Sequence, residues 1–128
     1  MLEHIKDDVD FLKTARELVR PGGNVIMFVP AFACLMSEFD RQVGHYRRYR
    51  RRELIAKFTA ADLAVKDVRH VNLLGFPAWF LTMRLCRLTP RQNGLVRVWD
   101  NVAVPLMRTV ESHVRAPFGQ SLLIVGQR

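Results

Sequence analysis

The sequence predicts an α/β fold, and three observations carry that prediction. A helical pattern near the amino terminus is followed by a proline–glycine turn, and the turn leads into a short apolar run at Val25 to Val29. Helix, turn and buried strand form half of a crossover unit, the building block of α/β domains. The chain also closes on a second apolar strand, Ser121 to Val125. Its 128 residues fit a single domain, 1–128.

The first helix has a cap and a stop. Asp7 or Asp8 can accept hydrogen bonds from the free backbone amides of its first turn. Proline and glycine in the segment Arg20-Pro21-Gly22-Gly23 then end it. The apolar run that follows, closed by Pro30, is typical of a strand covered on both faces, as in a parallel sheet. Between cap and stop, apolar residues recur at helical spacing: Val9, Leu12, Ala15 and Val19.

The rest of the chain predicts three more helices and one more strand. Residues Ala31 to Gly44 lack periodicity and are predicted to be loop. A fourth helix is predicted over Leu95 to Val114, bent or split by Pro105. A second helix is predicted by Leu54, Ile55, Phe58 and Ala61, and a strand over Ala64 to Val71 by Val65, Val68 and Val71. A third helix has Pro77 in its first turn and carries Phe80, Leu81, Arg84 and Leu88.

Charge and composition limit the classes of protein to which the chain can belong. The formal net charge of +8 favours anionic partners such as nucleic acid, lipid headgroups, phosphorylated substrates or an acidic protein. No apolar run reaches the ~20 residues needed to cross a bilayer, and the charged residues after Met1 are unlike a signal peptide. Cys34 and Cys86 match no metal or redox spacing, so we expect reduced thiols in a cytoplasmic protein.

A nucleotide-binding glycine motif is missing from the sequence. Open α/β domains that bind a nucleotide-like cofactor carry a glycine-rich turn after the first strand and an acidic residue about 20 positions later. The seven glycines here never form such a cluster. Gly22-Gly23 precedes a strand rather than following one, so we assign it to turn formation.

Several segments, in their order and spacing, resemble class I S-adenosylmethionine-dependent methyltransferases, including a bacterial subgroup. The likeness covers nearly all of this chain and about half of such an enzyme. The segments are Leu2-Glu3-His4-Ile5 with Asp7-Asp8; Arg20 to Gly23 leading into Val25 to Pro30; Asp40-Arg41; Gly44-His45-Tyr46-Arg47-Arg48-Tyr49 with Glu53-Leu54; Asn72 to Pro77; and Pro117-Phe118-Gly119 through Val125.

The resemblance implies a partial Rossmann-like methyltransferase sheet with about four helices. In that family the sheet has seven strands, and the seventh is antiparallel and inserted between the fifth and sixth. The implied assignment is strand five at Val25 to Val29, six near Val65 to Val71, and seven at Ser121 to Val125. Strands one to three and nearly all of four would precede Met1. We therefore expect an alternative start, a truncation, a degenerate gene or one half of a split enzyme, with poor or no binding of S-adenosylmethionine by this chain alone.

The resemblance also implies roles for Glu3 and His4. Both would lie at the carboxyl end of strand four, at the edge of the donor pocket. His4 is a candidate catalytic base that removes a proton from the acceptor as the methyl group arrives. The alternative is a frayed amino terminus with a solvated Glu3.

The segment Asp40 to Tyr49 is the second candidate site. Asp40 and His45 could form a catalytic carboxylate–imidazole pair, and the arginines could grip an anionic acceptor. The alternative is an exposed loop whose arginines face water, as we expect for Arg50, Arg51 and Arg52. No metal is required by these residues. The candidate substrate-binding residues are Tyr46, Arg47, Arg48 and Tyr49.

The predicted function is methyl transfer to a small or lipid-linked acceptor. A nucleic-acid-binding module that uses the arginines and tyrosines is a second, less favoured interpretation. A third is a non-catalytic subunit that completes a partner chain, and a homo-oligomer or a complementing amino-terminal half is an expected partner. The segment Phe76 to Leu81, followed by Arg84, Arg87 and Arg91, could contact a membrane surface. Packing of a helix into the core is the favoured alternative for that segment.

Overall fold

The computed structural model describes a mixed α/β domain with one three-stranded sheet and three α-helices. Among the positions described, no helix is long and apolar enough to cross a bilayer. The predicted third and fourth helices lie outside the described residues, apart from scattered positions. The structure describes residues 1–42, 44–73 and 116–128, and also 75, 77, 101, 102, 104, 105, 109 and 111.

Helix α1, Asp8–Leu18, follows a short 3₁₀ helix at Leu2–His4. Asp7 is the cap, since its carboxylate accepts a hydrogen bond from the backbone amide of Asp10 at 3.1 Å. The other candidate, Asp8, is buried and has a different role, given below. The turn after α1 includes Gly22 at φ +78°, a conformation that glycine adopts at no steric cost. The predicted helix and its stop are confirmed.

Strands β1 (Asn24–Pro30), β2 (Ala64–Val71) and β3 (Ser121–Gln127) form the sheet in the order β1-β3-β2. β3 pairs antiparallel with both neighbours, so β1 and β2 run parallel to each other on either side of it. Ile124 is opposite Met27 on one side and opposite Val68 on the other. The three predicted strands are confirmed.

The prediction that β1 is covered on both faces is wrong. Val25, Met27 and Val29 are buried, whereas Ile26 is 61% exposed and Phe28 is 59% exposed. Exposure therefore alternates along the strand as in a sheet with one open face. An uninterrupted apolar run contains no polar residue to mark the outer face, so the sequence pattern could not show this alternation.

The prediction of loop over Ala31 to Gly44 is also wrong in part. A 3₁₀ turn at Ala33–Leu35 precedes helix α2, Glu38–Gln42. Ser37 and Asp40 cap α2 reciprocally, because each side chain accepts a hydrogen bond from the other's backbone amide. Helix α3, Arg51–Ala60, confirms the second predicted helix.

The core lies between the sheet and helices α1 and α3. Leu12 from α1 and Leu54 and Phe58 from α3 are fully buried. Gly126 in β3 is required by this packing, because a Cβ there would lie 2.5 Å from Cδ1 of Phe58. Loss of a buried phenylalanine ring typically costs about 3–5 kcal/mol, so Phe58 is a principal contributor to stability. On the sheet side, the core consists of Val25, Met27, Val29, Val68, Leu122 and Ile124.

Candidate functional site

Asp40 is the centre of a buried polar cluster. Its side chain is 1% exposed and accepts hydrogen bonds from Ser37, His45 and Arg48. Arg48 approaches it with two donors, Nε to Oδ1 at 3.1 Å and Nη2 to Oδ2 at 3.0 Å, and it also donates to the carbonyl of Ala31. Burial would raise the pKa of the Asp40 carboxyl, but the hydrogen bonds from His45, Ser37 and Arg48 hold the pKa below its ordinary value.

His45 is held in one orientation by Asp40. Its Nδ1 lies 2.9 Å from Oδ1 of Asp40. Because an ionised carboxylate only accepts hydrogen bonds, Nδ1 is the protonated nitrogen and Nε2 has a free lone pair in the neutral ring. The predicted Asp40–His45 pair is therefore present in the structure.

Glu3 and His4 lie beside His45. The rings of His4 and His45 meet edge to face, with centroids 4.8 Å apart. Nδ1 of His4 is 3.0 Å from the carbonyl oxygen of Gly44. Oε1 of Glu3 is 3.7 Å from Nε2 of His4 and 3.9 Å from Nε2 of His45. The two predicted candidate sites therefore form one cluster in space. His4, from the first, and His45, from the second, are 41 positions apart in the sequence.

Glu3 is not a solvated residue at a frayed end. It is 8% exposed, and its Oε2 lies 2.7 Å from the amino group of Met1. Burial would raise the pKa of the Glu3 carboxyl. The hydrogen bond from the amino group of Met1, a backbone hydrogen bond and the positive charges of Met1 and His4 outweigh burial and lower the pKa. The group is thus a carboxylate near neutral pH.

Asp8 forms a second buried hub, next to the first. It is 3% exposed, and it accepts hydrogen bonds from Arg47 at 3.1 Å, Tyr49 at 3.0 Å and Lys57 at 2.9 Å. Burial would raise the pKa of the Asp8 carboxyl, but the hydrogen bonds from Lys57 and Tyr49 and the charges of Lys57 and Arg47 lower it. This hub joins the start of α1 to the segment before α3 and to α3 itself.

The four predicted substrate-binding residues are in different environments. Tyr49 is fully buried, and burial together with the Asp8 carboxylate raises the pKa of its phenol. Arg48 is buried against Asp40, and Arg47 is tied to Asp8 and to the carbonyl of Lys6. Tyr46 is 56% exposed, and the ammonium of Lys6 lies 5.7 Å from the centre of its ring. Tyr46 is the most accessible of the four.

A pocket of about 410 Å³ lies near the carboxyl ends of β1 and β2. Phe32 and His70 stack in its wall with ring centroids 5.1 Å apart, and burial lowers the pKa of His70. None of Asp40, His45 and Arg48 lines it. Arg50, Arg51 and Arg52, which were predicted to face solvent, are exposed and also line this pocket. The full lining is Phe32, Ala33, Cys34, Tyr49, Arg50, Arg51, Arg52 and His70.

Sequence reasoning missed several residues that organise the site. The spacing Ser37-x-x-Asp40 is a capping-box signal, and it would have indicated the start of α2. Nothing in the sequence distinguishes Lys57 or Asp8 as partners across the fold. The carbonyl of Gly44 could not be anticipated either, because its position depends on a residue with φ +79°.

Comparison with known proteins adds no assignment. The sequence matches no protein-family model, and no curated protein shows significant similarity to it. The chemistry of the site therefore rests on its geometry. The Nε2 atoms of two imidazoles lie near one carboxylate oxygen of Glu3, and side chains of these types can accept protons or bind a cation.

Proposed function

We propose that the chain is the acceptor-side part of an S-adenosylmethionine-dependent methyltransferase that acts on a small or lipid-linked acceptor. The observation that carries the proposal is the sheet order β1-β3-β2, with β3 antiparallel between two parallel strands. The resemblance implies this order for strands five, seven and six. The proposal equates β1 with strand five, β2 with strand six and β3 with strand seven.

The convergence of the two candidate site segments supports the proposal. His4 and His45 both present Nε2 toward Glu3, and either ring can take a proton from an acceptor hydroxyl or amine during methyl transfer. The His4 side chain is 43% exposed, so an acceptor can approach it. Tyr46 is a second accessible group at this surface. Most of the rate acceleration in such a reaction comes from holding donor and acceptor in line.

The nucleic-acid interpretation receives less support from the geometry. It requires tyrosine rings that stack on bases and arginines that reach phosphates. Tyr49 has no exposed surface, and the guanidinium of Arg48 is engaged by Asp40. Tyr46 alone of the pair presents a ring to solvent.

Sequencing the DNA around the gene tests the proposal. We expect the DNA upstream of the Met1 codon, or an adjacent gene, to encode a glycine-rich turn followed about 20 residues later by an acidic residue. The extended protein, or the two chains mixed, should bind S-adenosylmethionine in calorimetry. It should also transfer a labelled methyl group to an acceptor in a lipid or small-molecule extract. An extended protein with neither motif nor donor binding would refute the proposal.

A pair of variants of that enzyme tests the assigned site. His45→Gln should lower kcat while leaving the Kd for the donor within about threefold, because the ring faces the acceptor side. Arg41→Gln is the matched control, since the Arg41 side chain is 72% exposed and, among the described residues, its ion pair is with the 71% exposed Glu38. Equal kinetics for both variants would remove His45 from the catalytic site.

A further inference from the structure

We propose that Glu3, His4 and His45 bind a divalent transition-metal ion of the zinc, cobalt, manganese or iron(II) type. The three residues offer one carboxylate oxygen and two imidazole nitrogens, and these atoms all lie within 4.8 Å of one another. Two histidines and one carboxylate are an established ligand set for such ions. The proposal goes beyond methyl transfer and does not depend on it.

The tautomers of both rings leave the correct nitrogens free. His4 must donate from Nδ1 to the Gly44 carbonyl at 3.0 Å, because a carbonyl oxygen only accepts. His45 must donate from Nδ1 to Asp40, whose carboxylate is also held by Arg48. In the neutral rings both Nε2 atoms therefore carry lone pairs. These are the nitrogens that lie closest to Oε1 of Glu3.

The distances within the cluster fit a bridging ion better than direct hydrogen bonds. Oε1 of Glu3 is 3.7 Å from one Nε2 and 3.9 Å from the other, and both separations are too long for a hydrogen bond. With ligand bonds of about 2.1 Å, ligand atoms around a tetrahedral ion are about 3.4 Å apart. The two separations between Glu3 Oε1 and the imidazole Nε2 atoms are close to that spacing, and the ligand atoms of all three residues lie within 4.8 Å of one another.

The residues around the ligands hold them as metal sites require. A metal-bound histidine characteristically donates its other N–H to a carboxylate or a backbone carbonyl. His45 has the first kind of partner in Asp40, and His4 has the second in Gly44. Asp40 is fixed in turn by Ser37 and Arg48. The imidazole of His45 is thus held by a hydrogen-bond network of the kind that orients metal-binding histidines.

The site would keep open coordination positions. Three protein ligands leave at least one position free on a tetrahedral ion. The His4 side chain is 43% exposed, so water or an anionic or hydroxyl-bearing ligand can reach that position. A bound ion would occupy the lone pairs that otherwise accept a proton. Metal binding and direct general-base action by these rings are therefore mutually exclusive, and the ion would instead polarise an oxygen atom of a ligand bound at the open position.

Calorimetric titration of the metal-free, tag-free chain with Zn²⁺ tests the proposal, and Co²⁺ absorption provides a second readout. We expect one equivalent of Zn²⁺ to bind, a visible ligand-field band with Co²⁺, and much weaker binding of Mg²⁺. His4→Ala should weaken Zn²⁺ binding by at least about tenfold, as should Glu3→Gln. His4 is the preferred variant, because its half-exposed ring contributes little to folding. Each variant is checked by circular dichroism and thermal melting.

Matched controls separate this site from other chelators in the chain. His70→Ala removes a histidine from the separate pocket, and Glu38→Gln removes an exposed carboxylate, so both should retain Zn²⁺ affinity. A variant with residues added before Met1 moves the amino group away from Glu3 and should also retain it. The proposal is overturned if no stoichiometric binding occurs, if His4→Ala and Glu3→Gln bind as the parent does, or if the amino-terminal extension abolishes binding. None of these outcomes depends on donor binding, so this test and that of the proposed function can fail separately.

Discussion

Arg48 and Asp40 form a two-point ion pair inside the protein, with side chains 3% and 1% exposed. Nε of Arg48 donates to one carboxylate oxygen and Nη2 to the other. A pair of this kind is costly to break from one side, because the remaining charge stays buried without its partner. Five of the six residues from Arg47 to Arg52 are arginine, and Arg48 is the buried one among them.

Asp40→Asn should destabilise the protein by about 3–5 kcal/mol, because it leaves the Arg48 charge buried and weakens the cap of α2. Urea unfolding followed by circular dichroism measures the change. Glu38→Gln is the control: it breaks an ion pair whose side chains are 71–72% exposed, and the expected cost is about 0–1 kcal/mol. An Asp40→Asn protein as stable as the control would show that the pair contributes little.

Ionisation of Asp8 should make the unfolding free energy fall as the pH is lowered into the acid range. Its folded-state pKa is lowered, so its contribution is complete above the unfolded-state pKa, near 4, and is lost as the pH falls through the lower folded-state value. We therefore expect the difference in unfolding free energy between the parent and Asp8→Asn to shrink as the pH falls below about 4. Asp7→Asn is the control, since its exposed carboxylate only caps α1 and asparagine caps equally well. A difference independent of pH would mean that Asp8 does not titrate as its contacts indicate.

The positions of helices and strands were largely predictable, whereas the burial of charges was not. Helix α1 was predictable because its signals are local: the cap at Asp7, the apolar spacing along the helix and the Pro21-Gly22 turn. The burial of Arg48 depends on Asp40, which lies in the capped helix α2, where the sequence pattern predicts a loop. The proximity of Glu3 to His45 depends on the path of the whole segment after β1. Periodicity and capping patterns describe only neighbouring residues, so they cannot predict a contact between distant segments.

The exposed face of β1 should promote self-association. Ile26 and Phe28 are more than half exposed beside one another on the same face, and among the described residues β1 pairs only with β3. An apolar face next to a free strand edge favours pairing with another chain. Phe28→Lys should raise the monomer fraction in light scattering, whereas Leu18→Lys, at an 84% exposed apolar residue on α1, should not. A parent chain that is a stable monomer at all concentrations would contradict this.

The chain alone should bind S-adenosylmethionine weakly or not at all. In the proposed assignment, the donor would be contacted only from the side of Glu3 and His4, and each hydrogen bond there would contribute about 0.5–1.5 kcal/mol net. Loss of translational and rotational freedom costs at least about 4 kcal/mol, and micromolar affinity requires about 8 kcal/mol of net binding free energy. Calorimetry with the purified chain measures this directly. A micromolar Kd without any added partner would mean that another pocket binds the donor.

The central position of β3 has a consequence for how the protein is made. β3 is the last of the three strands to leave the ribosome, yet in the described part of the chain it supplies the only strand partner of both β1 and β2. Synthesis of residues 72–120 delays it by several seconds, at roughly 5–20 residues per second. During that interval β1 and β2 lack the strand that joins them in the described part of the chain. We therefore expect the apolar residues of β1 and β2 to stay more exposed until β3 emerges, and a translational pause between β2 and β3 would prolong that exposure.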